Sequence, residues 1–101
     1  MYDETKEQVR IALRLTTDVF DPQLEALIAA GLEDLAVAGV NSDLLNTPEA
    51  FPLIQQAVIT YCRLHFGEPS DPERLATSYG YQKTQLARAY GYQRGISNAG
   101  I

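Results

Sequence analysis

The sequence predicts an all-α fold: a small bundle of about four helices with a mid-chain loop and a flexible C-terminal tail. Three observations predict it. Apolar residues recur at helical spacing along most of the chain, the pair Asp-Pro twice precedes such a run, and glycines stand where the longer runs should stop. A length of 101 residues fits one domain, which at this size buries roughly two thirds of the surface its unfolded form exposes. With 46% hydrophobic and 21% charged residues, the composition is that of an ordinary globular domain and argues against wholesale disorder.

The first helix is expected over about residues 3–14, where Val9 and Leu13 lie four apart with Ala12 beside them. Leu15 to Asp21 holds two threonines and two aspartates, whose side chains compete for backbone partners, so it reads as a turn. Asp21-Pro22 then supplies an N-cap and a first-turn proline. In the second helix Leu24, Leu27, Ile28, Gly31, Leu32, Leu35 and Ala36 follow the i, i+3, i+4, i+7 template, so that face must be buried. Gly31 lies on it, where a missing side chain lets another helix approach closely. Gly39 is suited to end the helix in a left-handed conformation.

Asn41 to Pro52 is read as a loop, with Leu44, Leu45 and Phe51 pinning it to the core; it is either a contact-making loop or a plain connector. From about Phe51 to Phe66 a third helix carries Ile54, Ala57, Val58, Tyr61, Cys62 and His65 on one stripe, widened by Ile59, Leu64 and Phe66. It is expected to be the central helix, stopped by Gly67. Asp71-Pro72 repeats the capping device, and Glu73 adds negative charge in the first turn of a fourth helix. Its stripe is Leu75, Tyr79, Gln82, Leu86 and Ala89 or Tyr90. Tyr79-Gly80-Tyr81-Gln82 recurs eleven residues on as Tyr90-Gly91-Tyr92-Gln93, either a ladder of tyrosines facing a partner or a coincidence. Residues 1–91 are thus assigned to a helical domain and 92–101 to a tail or arm.

The net charge of −5 argues against non-specific nucleic-acid binding by the whole surface. That average hides a split: every acidic residue lies at or before Glu73, whereas Arg74, Lys83, Arg88 and Arg94 follow with no acid among them. A solvated helix face explains this, and so does a basic arm that meets an acidic neighbour or passes near DNA. No apolar run reaches the roughly 18 residues of a membrane span, and the first residues lack a secretory pattern, so a cytosolic origin is expected. The lone Cys62 has no internal disulfide partner and reads as a buried thiol; His65 reads as a satisfied histidine near a helix C-terminus. The two lie three positions apart, without a third orienting group. No phosphate loop, dinucleotide fingerprint, EF-hand or zinc spacing is present, so no enzyme, cofactor or metal is expected.

Two blocks carry a resemblance. The run Ile11-Ala12-Leu13-Arg14-Leu15-Thr16-Thr17-Asp18-Val19-Phe20-Asp21, with a helix ending Ala38-Gly39-Val40, resembles the opening of the small head-to-tail connector proteins of tailed bacteriophages and prophages, also called adaptor or DNA-packaging proteins. The stretch from Ala57 to Pro69, with Arg74-Leu75, Ser78-Tyr79 and Gln82 to Leu86, is similar to the same family. Neither is an enzymatic signature; the specificity lies in their combination and spacing. The sequence departs from the pattern at Gly80-Tyr81, which puts the continuity of the fourth helix in question.

The resemblance implies a structural subunit of a ring, roughly a dodecamer, that docks under the portal, extends the DNA channel and receives the next connector or stopper protein. Double-stranded DNA would pass through it without sequence-specific binding, helped by an acidic lumen. The chain would then belong to the virion and, during assembly, to the host cytoplasm, with no membrane contact. Lys83, Arg88, Tyr90, Tyr92 and Arg94 are the expected interface with an adjacent subunit or the portal, since tyrosine and arginine most often carry interface energy. The competing expectation is a non-viral helical domain, adaptor or regulatory, that binds its partner as a monomer.

Overall fold

The computed structural model describes residues 2–41 and 50–91. It contains four helices in chain order: α1 (Tyr2–Ala12), α2 (Asp21–Val37), α3 (Phe51–His65) and α4 (Pro72–Tyr90). The all-α architecture is as expected. Helix α3 is central: α1, α2 and α4 all pack on it, and α1 also packs on α2. Its buried stripe, Ile54, Ala57, Val58 and Cys62, is that of the expected periodicity. Thr60 is buried as well, which its polarity hid; its hydroxyl donates to the Gln56 carbonyl one turn back at 3.0 Å, so burial leaves it satisfied.

The ends of α1 and α2 use one device. After α2, Gly39 has φ +108°, its N–H donates to the Ala36 carbonyl, and the Val40 N–H reaches back to the Leu35 carbonyl, both at 3.0 Å. This Schellman turn also buries Val40 against the core. After α1 the same pair of bonds joins Arg14 to Ile11 and Leu15 to Arg10, each 3.0 Å, but the left-handed position is held by Arg14 at φ +59°. Helix α1 therefore stops two residues before the expected end. Gly67, at φ +65°, follows α3 as expected.

The two Asp-Pro pairs differ in use. Asp71 caps α4, its Oδ1 accepting from the Arg74 N–H at 3.3 Å. Asp21, expected to be the N-cap of α2, is instead the first residue of that helix, and the cap position falls to Phe20 with no side-chain cap bond. The Asp21 carboxylate is engaged elsewhere, 3.6 Å from Lys6 Nζ and 3.8 Å from Arg10 Nε on α1. Lys6 also reaches Glu25 at 2.9 Å, so α1 is held to α2 by charge along its polar edge and by Val9 in the core.

A close approach ties α2 to α3. A Cβ on Gly31 would lie 3.1 Å from Tyr61 Cδ1, so the absent side chain is what admits Tyr61 against α2, as the sequence leads one to expect. Helix α4 runs unbroken through Gly80, which answers the question raised by the Gly80-Tyr81 departure. Leu44 and Leu45, expected to pin the mid-chain loop, lie outside the described residues, as does the tail 92–101.

Candidate assembly interface

Of the five residues expected at an interface, the structure brings Arg88 and Tyr90 together, sets Lys83 apart, and leaves Tyr92 and Arg94 outside the described residues. Arg88 and Tyr90 line a groove of about 600 Å³ between the start of α3 and the end of α4. From α3 it receives Leu53 and Gln56, and from α4 Gln82, Gln85, Leu86 and Ala89. The groove forms because α3 and α4 converge on Leu86, which is buried, while Leu53 in the first turn of α3 stays 52% exposed. Gln82, read in the sequence as part of the apolar stripe, also lines the groove, and its Oε1 is buried with no hydrogen-bond partner among the described residues.

The end of α4 is fixed in direction. The Asn41 N–H donates to the Tyr90 carbonyl at 2.8 Å, and Val40 and Gly91 form an isolated antiparallel bridge. Whatever follows Gly91 therefore leaves from a point anchored to the exit of α2, beside the groove.

Lys83 faces the other flank of α4. Its ammonium lies 3.2 Å from Asp34 Oδ2 on α2 and 5.1 Å from the centre of the Tyr79 ring. The Tyr79 hydroxyl donates to the same Asp34 oxygen at 2.6 Å. This donation, with the neighbouring Lys83, holds the Asp34 carboxyl below the usual carboxylate range. Burial and the adjacent carboxylate drive the Tyr79 phenol upward, so its proton stays in place. The Tyr79 ring meets Tyr61 edge-on at 5.4 Å, and Tyr61 in turn lies 4.4 Å from the His65 ring. The first rung of the proposed tyrosine ladder is thus internal: eleven residues place Tyr79 and Tyr90 on one face, but that face is the one α4 turns to the core. Tyr81 is the exposed member, at 71%.

Among the described residues the remaining titratable groups do not assemble into a reactive centre. Cys62 is fully buried, as expected, and burial pushes its thiol up to about 12. His65 is exposed at the end of α3, resting on Tyr61, rather than on the buried stripe where its spacing put it; the stripe runs out of partners in the last turn. Among the described residues no group of three His, Cys, Asp or Glu side chains is placed to hold a metal ion, and no helix is long and apolar enough to cross a membrane.

A second surface escaped the sequence reading. On α2, directly opposite the buried Leu24, Ile28, Gly31 and Leu35, the outward side chains are Ala26, Ala29, Ala30, Glu33 and Val37, all exposed, with Val37 at 77%. The helix has no lysine or arginine. The signal was present in the sequence, since α2 is apolar on both sides, but the regular stripe of the buried face drew the whole reading.

In comparison with known proteins, a family model described as phage connector protein aligns with residues 1–93. No curated protein and no solved structure shows significant similarity to the chain.

Proposed function

The chain belongs to the phage connector family, a structural one, and from that membership we propose that it is a subunit of a ring under the portal, which extends the DNA channel and receives the next connector or stopper. The observation that carries this reading is the anchored end of α4. The Val40–Gly91 bridge and the bond from Asn41 to Tyr90 fix Gly91, the last described residue, next to Arg88 and Tyr90, and Tyr92 and Arg94 follow it in the sequence. A segment launched from a rigid base loses less freedom on docking than one hung from a frayed helix. Lys83, Arg88, Tyr90, Tyr92 and Arg94 form the proposed interface with the neighbouring subunit or the portal, Lys83 exchanging part of its contact with Asp34 for one across the interface.

Repeated head-to-tail contact of one chain with the next makes a ring where the rotation between copies closes. The net charge of −5 supports a lumen that repels DNA phosphates, so DNA passes without sequence-specific binding. Subunits would gather in the host cytoplasm and end in the virion at the head-to-tail junction. The test is truncation after Tyr90, with negative-stain electron microscopy of the chain mixed with its portal. Rings on the portal are expected for the full chain and lost on truncation; rings recovered from the truncated chain would refute the role of the arm.

A further inference from the structure

We propose that the groove between α3 and α4 receives the outer face of α2 from a second copy of this chain, with Glu33 of one copy meeting Arg88 of the next. This rests on the reading of the chain as an assembling subunit and names the two faces that join.

The argument begins with α2. Helix α2 carries Asp21, Gln23, Glu25 and Asp34 along its flanks, yet the strip directly opposite its buried face is nearly without charge. Here one side of α2 is covered by α1 and α3, while the opposite side presents three alanines, a valine and a single acid to solvent. Solvated helix faces are ordinarily rich in charge. Small side chains do something else well: they let a second helix surface approach closely. The stripe at positions 26, 30, 33 and 37 follows i, i+4, i+7, i+11, which keeps it straight along the helix.

The groove offers what such a ridge needs. Its floor and walls carry Leu53, Leu86 and Ala89, and its volume of about 600 Å³ is open between two helices. Charge selects the occupant. Arg88 is the basic member of the lining, no acid lines the groove, and Arg88 has no ion-pair partner among the described residues. Glu33 sits in the middle of the α2 stripe and is likewise without an ion-pair partner among the described residues. One face thus supplies an acid among small apolar side chains, and the other a base beside an apolar cleft. The two lie on different surfaces of the molecule, so pairing them joins copies head to tail rather than about a two-fold axis, the geometry that closes into a ring.

The test uses the full chain. Ala30→Cys and Ala89→Cys place thiols on the two faces, while the native Cys62 is buried and inert. Under mild oxidation at high protein concentration, the double variant should give a ladder of covalent multimers, and the two single variants mixed should stop at a heterodimer. Separately, Glu33→Arg and Arg88→Glu should each weaken self-association about tenfold by setting like charges together, and combining them should restore it to within about threefold. Circular dichroism checks that each variant folds. If the wild-type chain associates but the double-cysteine variant gives no more cross-linking than either single one, the assignment of faces is wrong and the assembly reading stands. The oxidation is repeated with the portal present, and if the wild-type chain neither associates in sedimentation nor forms rings on its portal, both fall.

Discussion

Two glycines on two helices predict opposite responses to the same substitution. Gly80 lies inside α4, and a Cβ built there meets no atom within 4 Å. Alanine should therefore gain the difference in helix propensity, about 1 kcal/mol, undiminished by packing. For a domain of this size that raises the melting temperature by about 4–8 °C. Gly31 is also helical, so alanine gains the same propensity there, but its Cβ would stand 3.1 Å from Tyr61 Cδ1 and 3.3 Å from Cγ. Tyr61 has little room to yield, because its ring is flanked by Tyr79 at 5.4 Å and His65 at 4.4 Å. Overpacking of this kind costs about 1–3 kcal/mol, so the net result for Gly31→Ala is a loss of about 1 kcal/mol. Thermal and urea unfolding followed by far-ultraviolet circular dichroism, at a concentration where the chain is monomeric, measures both. A drop in stability for Gly80→Ala, or a rise for Gly31→Ala, would refute the reasoning.

Tyr79→Phe removes a donor from an ionised acceptor and should cost about 1.5 kcal/mol in urea unfolding, whereas a change below about 0.3 kcal/mol would show the bond to be without consequence. Because the folded protein holds Asp34 below its unfolded value, its contribution is complete above that value, near 3.9, and fades as pH falls through the folded one. The stability gap between wild type and Asp34→Asn should accordingly narrow below about pH 4, and a gap constant from pH 3 to 7 would contradict this. With its thiol pushed up to about 12, Cys62 should react with a disulfide reagent at neutral pH only as fast as the chain unfolds; fast labelling in the absence of urea would show access to the core. Arg14→Gly relieves a left-handed position on an exposed residue and should raise stability by about 0.5–1 kcal/mol after the entropy of glycine is deducted, with an unchanged melting temperature as the opposing result.

Much of the bundle is legible because its signals are local. The buried face of α2, the Asp71 cap and the left-handed Gly39 and Gly67 each depend on residues within a turn or two. What stays hidden depends on pairs far apart in sequence. Asp21 looks like a cap until Lys6 and Arg10 are seen beside it, and Tyr79 reads as part of the α4 stripe with no sign that Asp34, 45 residues earlier, takes its hydroxyl. The groove is hidden for the same reason, since Leu53 and Gln56 meet Gln82 and Ala89 only after α3 and α4 pack. Arg14 carries no signal at all: arginine is not a residue that advertises a left-handed turn.

The charge split shows how folding changes the meaning of a pattern. In the sequence, the last quarter is uniformly basic. In the structure, Arg74 is engaged by Asp71 at 3.1 Å and Lys83 by Asp34 at 3.2 Å, so on α4 the cation left without an acid is Arg88. Among the acids of α2, Asp21 and Glu25 answer to α1 and Asp34 to α4, which leaves Glu33 on the outer face. Among the described residues, the cation of α4 and the acid of α2 left without an ion pair are thus Arg88 at the groove and Glu33 on the α2 stripe. A contact built on a single pair set in apolar surface depends on salt far less than one built on opposed charged surfaces. Association of this chain should accordingly weaken by only a few-fold between 0.05 and 0.5 M sodium chloride, at about one pair's worth of screening. A hundredfold loss over that range would return the basic arm as a whole, rather than Arg88 in its groove, to the centre of the interface.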